Sequence, residues 1–160
     1  MAKVAVQLTL NGSEKAEFIE SGATLLNVLR AKLGDTSPKG GCHQGTCGSC
    51  SVIIDGELRL SCITLAETCN GADVQTTGGL ADAGKLHPLQ RAFADAFATQ
   101  CGFCTPGMIM AAKALLDRNP NPTRDEVVEA ISGNICRCTG YEPIIQAVLT
   151  VARANALVAA

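Results

Sequence analysis

Nine cysteines constrain this chain of 160 residues more than any other feature, and eight of them fall into two sets with short spacing. The first set, C-x4-C-x2-C and a fourth cysteine after eleven residues, is Cys42, Cys47, Cys50 and Cys62. The second set, a C-x2-C pair and a later C-x-C pair, is Cys101, Cys104, Cys136 and Cys138. The N-terminal segment lacks the apolar stretch of a signal peptide, so we expect a cytoplasmic location, where thiols stay reduced. Metal binding is therefore a better interpretation than disulfides.

The composition is typical of a globular protein with small cores. Hydrophobic residues make up 47% of the chain, but aromatic residues only 3%, and Trp is absent. Each half would have little apolar area to bury, so we expect something besides the core to stabilise it. The net charge is −2 and basic residues do not cluster, which argues against nucleic acid or an anionic membrane as a partner. No segment approaches the ~20 apolar residues that span a bilayer.

The first half predicts a small α+β domain over residues 1–77. Asn11-Gly12 and Asp55-Gly56 are typical two-residue hairpin turns between alternating apolar and polar segments. The predicted strands are residues 4–10, 15–20, 51–54, 57–60 and 73–76. Residues 24–33 have helical apolar spacing and are followed by Gly34, so they predict one helix between the hairpins.

Residues 78–86 are small and polar and predict a flexible linker to an all-helical domain over residues 87–160. Four helices are predicted there. The first helix is predicted from apolar residues that recur every three or four positions: Leu86, Leu89, Phe93 and Phe97. The second is predicted to begin with Thr105 as N-cap before Pro106, and the third with a capping box of Thr123 and Glu126, ending near Gly133. Pro143 opens a fourth helix, through residue 154, whose apolar circumference predicts burial, in part by another chain.

The first cysteine set has the spacing of plant-type 2Fe-2S ferredoxins. Four thiolates suit a soft multi-iron centre, and nearby glycines let the backbone curl so that N–H groups reach the sulfurs. These glycines are Gly40, Gly41, Gly45 and Gly48. A zinc site with the same cysteines remains the alternative, although zinc sites more often use two C-x2-C pairs.

The two histidines do not support a Rieske centre, which needs two histidine ligands on one iron. His43 lies within the first cysteine set, but the other histidine, His87, stands before Pro88 at a predicted helix start. We therefore expect His43 to be a partly exposed loop residue. Cys69 is left over after two sets of four and is predicted to be a small buried hydrophobe.

Each pair of the second set is followed by threonine and then proline at the start of a predicted helix. If the two helices meet at their N-termini, the four sulfurs converge between two halves related by an approximate two-fold axis. An oxidised 2Fe-2S centre with four thiolates has a charge of about −2, which helix N-termini favour. Arg137 is a candidate counter-charge, with a surface salt bridge as the alternative. Tyr141, Met108 and Met110 are predicted to be packing residues.

Four segments together resemble the iron-sulfur subunit of the molybdenum hydroxylases, the family of xanthine dehydrogenase, aldehyde oxidoreductase, carbon monoxide dehydrogenase and 4-hydroxybenzoyl-CoA reductase. These are GCHQGTCGSCSV (residues 41–52), LSCITLA (60–66), QCGFCTPGMIM (100–110) and GNICRCTGYEPI (133–144). The resemblance covers nearly the whole chain. It implies a β-grasp ferredoxin-like domain and a four-helix domain, each holding one 2Fe-2S cluster.

The resemblance also implies partners and a function. In that family, the helical-domain cluster lies beside the molybdopterin of a large subunit, and the other cluster lies nearer the FAD of a medium subunit. Gln100 matches the glutamine that contacts the pterin, and Cys138 the ligand whose surroundings touch the pterin amino group. We therefore expect an electron-transfer subunit in a dimer of heterotrimers, with substrate chemistry on a partner chain. The alternatives are a zinc-stabilised interaction module and a free-standing two-cluster ferredoxin.

Overall fold

A computed structural model describes residues 2–158 of the chain and confirms the α+β class. The strands are β1 (Lys3–Leu10), β2 (Ser13–Glu20), β3 (Ser51–Ile54), β4 (Glu57–Leu60) and β5 (Asp73–Gln75). The helices are α1 (Leu25–Ala31), α2 (Pro88–Asp95), α3 (Thr105–Arg118), α4 (Arg124–Ile131) and α5 (Glu142–Val158). Each predicted strand and helix is present, with bounds that differ by a few residues.

The five strands form one mixed sheet in the order β2-β1-β5-β3-β4. Strands β1 and β5 are parallel, whereas β1–β2, β3–β4 and β3–β5 are antiparallel. Asn11-Gly12 and Asp55-Gly56 form the tight turns of the two hairpins, with positive φ at all four residues, as two-residue hairpins of the I′ type require. Leu25 and Leu29 of α1 pack on one face of the sheet.

The four later helices enclose a second core. Helix α5 packs on α2 and α4, and this chain itself buries Ile144, Ile145 and Val148. Burial of these three residues therefore does not require another chain, which the sequence had led us to expect for part of this helix. Met108 and Met110 are buried as predicted. No helix among residues 2–158 has the length and apolar character to cross a bilayer.

Two predictions for α2 and α3 were wrong in detail. Leu86 and Phe97 do not belong to the buried face of α2, because the helix begins at Pro88 and ends at Asp95. Phe97 follows in a left-handed conformation and is 82% exposed. Thr105 is not the N-cap of α3: Cys104 occupies that position, already in helical backbone conformation, and the Thr105 hydroxyl bonds Thr99 instead. The capping box of Thr123 and Glu126 is confirmed.

The two halves pack against each other through apolar and polar contacts. Ile53 of β3 contacts Met110 and Ala114 of α3. Thr77 joins the halves at the start of the predicted linker, since its hydroxyl donates to the Pro106 carbonyl over 2.8 Å and its own carbonyl accepts from Gln90. Residues 77–79 form a 3-10 turn. The two halves are therefore tied together at the point where the linker begins.

Candidate metal centres

The first candidate centre is built on the loop between α1 and β3 and on the turn after β4. This loop holds Cys42, Cys47 and Cys50, and Cys62 follows β4. His43 and Gly45 have positive φ, and the His43 side chain is exposed and lies over Gly40. Positive φ angles reverse the direction of the backbone, and such reversals allow the cysteine side chains of one loop to point to the same side.

Backbone N–H groups point at the Cys42 sulfur, where they would stabilise a thiolate. The N–H groups of Gln44 and Thr46 donate to Cys42 Sγ over 3.5 and 3.3 Å. Hydrogen bonds from the Thr46 side chain and these N–H groups lower the pKa of Cys42 to about 5. Backbone N–H groups thus reach the sulfurs in this glycine-containing loop, as the sequence predicted, and the backbone of Gly45 also hydrogen-bonds Cys62.

Cys50 and Cys62 form a buried pair beside this loop. Both are at most 5% exposed, and they pack with Leu26. Burial raises the pKa of Cys62 to about 11, and the hydrogen bond that the Cys62 thiol donates to Cys50 acts in the same direction. The Cys62 thiol therefore resists ionisation in the metal-free protein, and it would lose its proton when a metal binds.

The second candidate centre lies between the start of α3 and the turn before α5. Its four cysteines are again in pairs: Cys104 contacts Cys136 in the interior, and Cys101 contacts Cys138 at the surface. Burial and the contact with Cys136 raise the pKa of Cys104 to about 12. Along the sequence, the C-x2-C pair precedes α3 and the C-x-C pair precedes α5, as predicted.

Two hydroxyl groups, which the sequence did not predict as site residues, support the Cys136 side of this centre. Thr139 Oγ1 lies 3.1 Å from Cys136 Sγ, and the Thr139 N–H donates to the same sulfur over 3.5 Å. Burial opposes ionisation of Cys136, but these bonds outweigh it, and the pKa of Cys136 is lowered. Tyr141 packs on the core, as predicted, and its hydroxyl also accepts from the Cys136 N–H over 2.9 Å.

The donor sets fit two-iron clusters. Each iron of a 2Fe-2S cluster with four cysteine ligands binds two thiolates, and each cysteine set contains thiols that touch in pairs. Among residues 2–158, no three His, Cys, Asp or Glu side chains are grouped as a site for a single metal ion. The N–H groups aimed at Cys42 and Cys136 would offset thiolate charge.

The remaining predicted residues lie as follows. Gln100 is exposed beside Cys101, and Arg137 is exposed between Cys136 and Cys138. Arg137 makes none of the three ion pairs found within the described residues, so the surface salt bridge considered for it is absent there. Cys69 is 2% exposed in the core of the sheet half and contributes to neither set, as predicted.

The two cysteine sets meet where the halves touch. The Ile135 N–H donates to the Cys47 carbonyl over 2.9 Å. Ile135 is bonded directly to Cys136, so one hydrogen bond connects a candidate ligand of the first centre with one of the second. No motif predicted this contact, because its partners are far apart in the sequence.

Comparisons with known proteins agree with this arrangement. Residues 15–94 match the model of a 2Fe-2S iron-sulfur cluster binding domain, and residues 76–149 that of a 2Fe-2S binding domain. The nicotinate dehydrogenase small FeS subunit of Eubacterium barkeri is 47% identical over 148 residues, covering 92% of this chain and 94% of that protein. The nicotine 6-hydroxylase small subunit of Paenarthrobacter nicotinovorans is 45% identical over 147 residues, covering 92% and 88%. A chain of quinoline 2-oxidoreductase from Pseudomonas putida 86 superposes with a TM-score of 0.93 at 44% identity, covering 97% of both chains.

Proposed function

Because this chain belongs to the iron-sulfur subunits of the molybdenum hydroxylase family, we propose that it relays single electrons between a molybdopterin centre and FAD on partner chains. It is a subunit of an oxidoreductase complex and has two 2Fe-2S binding domains. The observation that carries the proposal is the hydrogen bond between Ile135 and Cys47, which joins two four-cysteine sets within one chain.

We assign one cluster to each set. Cys42, Cys47, Cys50 and Cys62 would hold the cluster of the ferredoxin-like half, residues 1–77, which we assign to the β-grasp fold. Cys101, Cys104, Cys136 and Cys138 would hold the cluster of the helical half, residues 87–160, across an approximate two-fold axis between the starts of α3 and α5. Bound clusters supply one-electron redox chemistry, and the chain supplies the thiolates, hydrogen bonds and burial that tune their potentials.

The exposed cysteines of the second set favour the surface around them as the side of this chain that faces the molybdopterin. Cys101 and Cys138 are exposed, whereas Cys136 is buried in the core of the helical half. Gln100 is exposed next to Cys101 and is assigned, with Cys138, to contact with the pterin on the large subunit. A medium FAD subunit would then approach the sheet half, and the complex would be a dimer of heterotrimers in the cytoplasm. Substrate would bind to the large subunit.

Metal and sulfide analysis tests the proposal. We expect freshly purified protein to contain about four irons and four acid-labile sulfides per chain and to absorb visible light. Zinc at one ion per four cysteines, without visible absorption, would instead establish the interaction module. Gel filtration of native extract separates the remaining alternative, because a free-standing ferredoxin would elute as a monomer and a subunit would elute with its partners.

The Thr139 hydroxyl is expected to raise the reduction potential of the helical-half cluster. Its hydrogen bond to Cys136 Sγ is stronger when the centre carries more negative charge, so it favours the reduced state. We expect Thr139→Val to lower that potential by up to about 60 mV, since about 59 mV corresponds to a tenfold change for one electron. A redox titration followed by electron paramagnetic resonance (EPR) measures the shift.

Thr150→Val is the matched control for this prediction. The Thr150 hydroxyl bonds the Gln146 carbonyl on the exposed side of α5, far along the chain from any cysteine. The potential of the other cluster serves as an internal reference in the same titration. If Thr139→Val and Thr150→Val have equal potentials, the hydroxyl does not tune the centre.

A further inference from the structure

A buried amide makes a second contact between the cysteine loops. Asn134 is 4% exposed although it lies in the turn after α4. Its Nδ2 donates to the Gly48 carbonyl over 2.9 Å and approaches Ser51 Oγ at 3.4 Å. Both acceptors belong to the loop of the first cysteine set and its junction with β3, so this side chain crosses from one half of the protein to the other.

Glycines allow the backbones to come this close. A Cβ on Gly48 would lie 2.5 Å from the Gly133 carbonyl oxygen and 2.6 Å from Asn134 Cγ. A Cβ on Gly107 of α3 would overlap the Gly48 carbonyl oxygen. Gly48 is thus enclosed by the turn that carries Asn134 and by the first turns of α3. A contact this tight has little room for alternative arrangements.

Each loop has its own local support without the amide of Asn134. The Gly48 carbonyl also accepts from the backbone N–H and hydroxyl of Ser51, over 3.0 and 2.7 Å. The turn after α4 is closed by the Asn134 N–H, which donates to the Ile131 carbonyl over 2.9 Å. Removing the amide therefore breaks a bond between the halves and leaves the turns of both halves hydrogen-bonded.

We propose that Asn134 is a positioning residue that holds the first cysteine loop against the second and so sets the separation of the two clusters. The next residue, Ile135, makes the backbone hydrogen bond to Cys47, so the amide and that bond act side by side. The redox consequence rests on the function proposed above, whereas the contact between the loops does not depend on it. Electron transfer slows steeply with distance, so a small opening here weakens the relay.

Hydrogen exchange of the full-length protein tests the contact. In Asn134→Ala, we expect the Ile135 N–H to exchange roughly tenfold faster, because the loss of one buried hydrogen bond makes opening of the interface easier. Mass spectrometry of peptides that cover residues 132–137 measures this rate, and peptides from the interior of α3 provide a reference. Ser132→Ala is the matched control, since the Ser132 hydroxyl bonds only the Glu129 carbonyl within the same turn.

Spectroscopy of the reduced protein tests the effect on the clusters. We expect Asn134→Ala to retain the iron content and both EPR signals of the unaltered protein. The magnetic interaction between the clusters should become weaker, because dipolar coupling falls with the cube of the distance. A purely structural role would lower thermal stability without changing this interaction in the folded protein.

Three results would overturn the proposal. The first is an unchanged magnetic interaction together with unchanged exchange of residues 132–137 in Asn134→Ala. The second is loss of iron from that variant, which would make Asn134 a requirement for cluster binding. The third result needs no variant. If the Ile135 N–H of the unaltered protein exchanges as fast as the amides of exposed turns, the contact is not formed. Hydrogen exchange can be measured whatever metal is bound, so failure of this proposal is distinguishable from a wrong cluster assignment.

Discussion

Cys104→Ser is expected to remove one of two EPR signals and to leave the other. Cys104 is in contact with Cys136 at the inner side of the helical-half site. A serine hydroxyl is a harder ligand that does not ionise at neutral pH, so it replaces a thiolate on iron poorly. The ligands of the other site come from a different half of the chain, and its iron should remain. EPR spectra and iron analysis of the reduced variant measure both effects, with iron falling to about two per chain.

Cys69→Ala is the control for this substitution. Cys69 is a buried cysteine that belongs to neither set, so its removal should leave both signals and the full iron content. Simultaneous loss of both signals in Cys104→Ser would contradict independent sites. It would show instead that folding of the two halves is coupled to metal binding across their interface.

Gly107→Ala is expected to destabilise the protein, although alanine favours a helix. The added methyl group would overlap the carbonyl oxygen of Gly48, which belongs to backbone held by Ser51 and Asn134. The steric cost is about 3 kcal/mol, and better helix propensity recovers about 1 kcal/mol. A net loss of about 2 kcal/mol corresponds to a decrease of about 4 to 8 °C in Tm for a chain of this size. Thermal unfolding followed by circular dichroism measures it.

Gly133→Ala is the matched comparison at the same interface. A Cβ on Gly133 would meet no atom within 4 Å, so this substitution should change the free energy of unfolding by no more than about 0.5 kcal/mol. Equal Tm values for the two alanine variants would mean that α3 and the Gly48 loop can move apart at little cost, which contradicts the close contact between the halves.

Local features predicted much of the fold and the site. The hairpins were predictable because Asn11-Gly12 and Asp55-Gly56 favour positive φ whatever surrounds them. The capping box of Thr123 and Glu126 was predictable because both bonds form within four residues. The division of eight cysteines into two sets followed from spacing, and the positions of both sets beside turns and helix starts agree with it.

Other predictions failed where distant residues decide the local structure. Leu86 and Phe97 continue the apolar period of α2, but the helix begins after Leu86 and ends before Phe97, so neither side chain joins its buried face. Thr105 looked like an N-cap, yet Cys104 already has helical backbone angles and the threonine hydroxyl bonds Thr99. Periodicity and capping rules consider one helix at a time. The actual ends of α2 and α3 also depend on contacts with the rest of the chain, and the N-cap of α3 is Cys104 itself.

The sequence by itself determined the residue types and short spacings that make two iron sites chemically reasonable, because ligand chemistry and turn geometry are local. Only the tertiary structure decided which thiols touch as pairs and which atoms join the two halves. Asn134 and Gly48 are separated by 86 positions, and nothing near either residue in the sequence predicts that they meet. The packing of α3 on β3 brings them together, since burial of apolar residues such as Met110 and Ile53 sets how the halves dock.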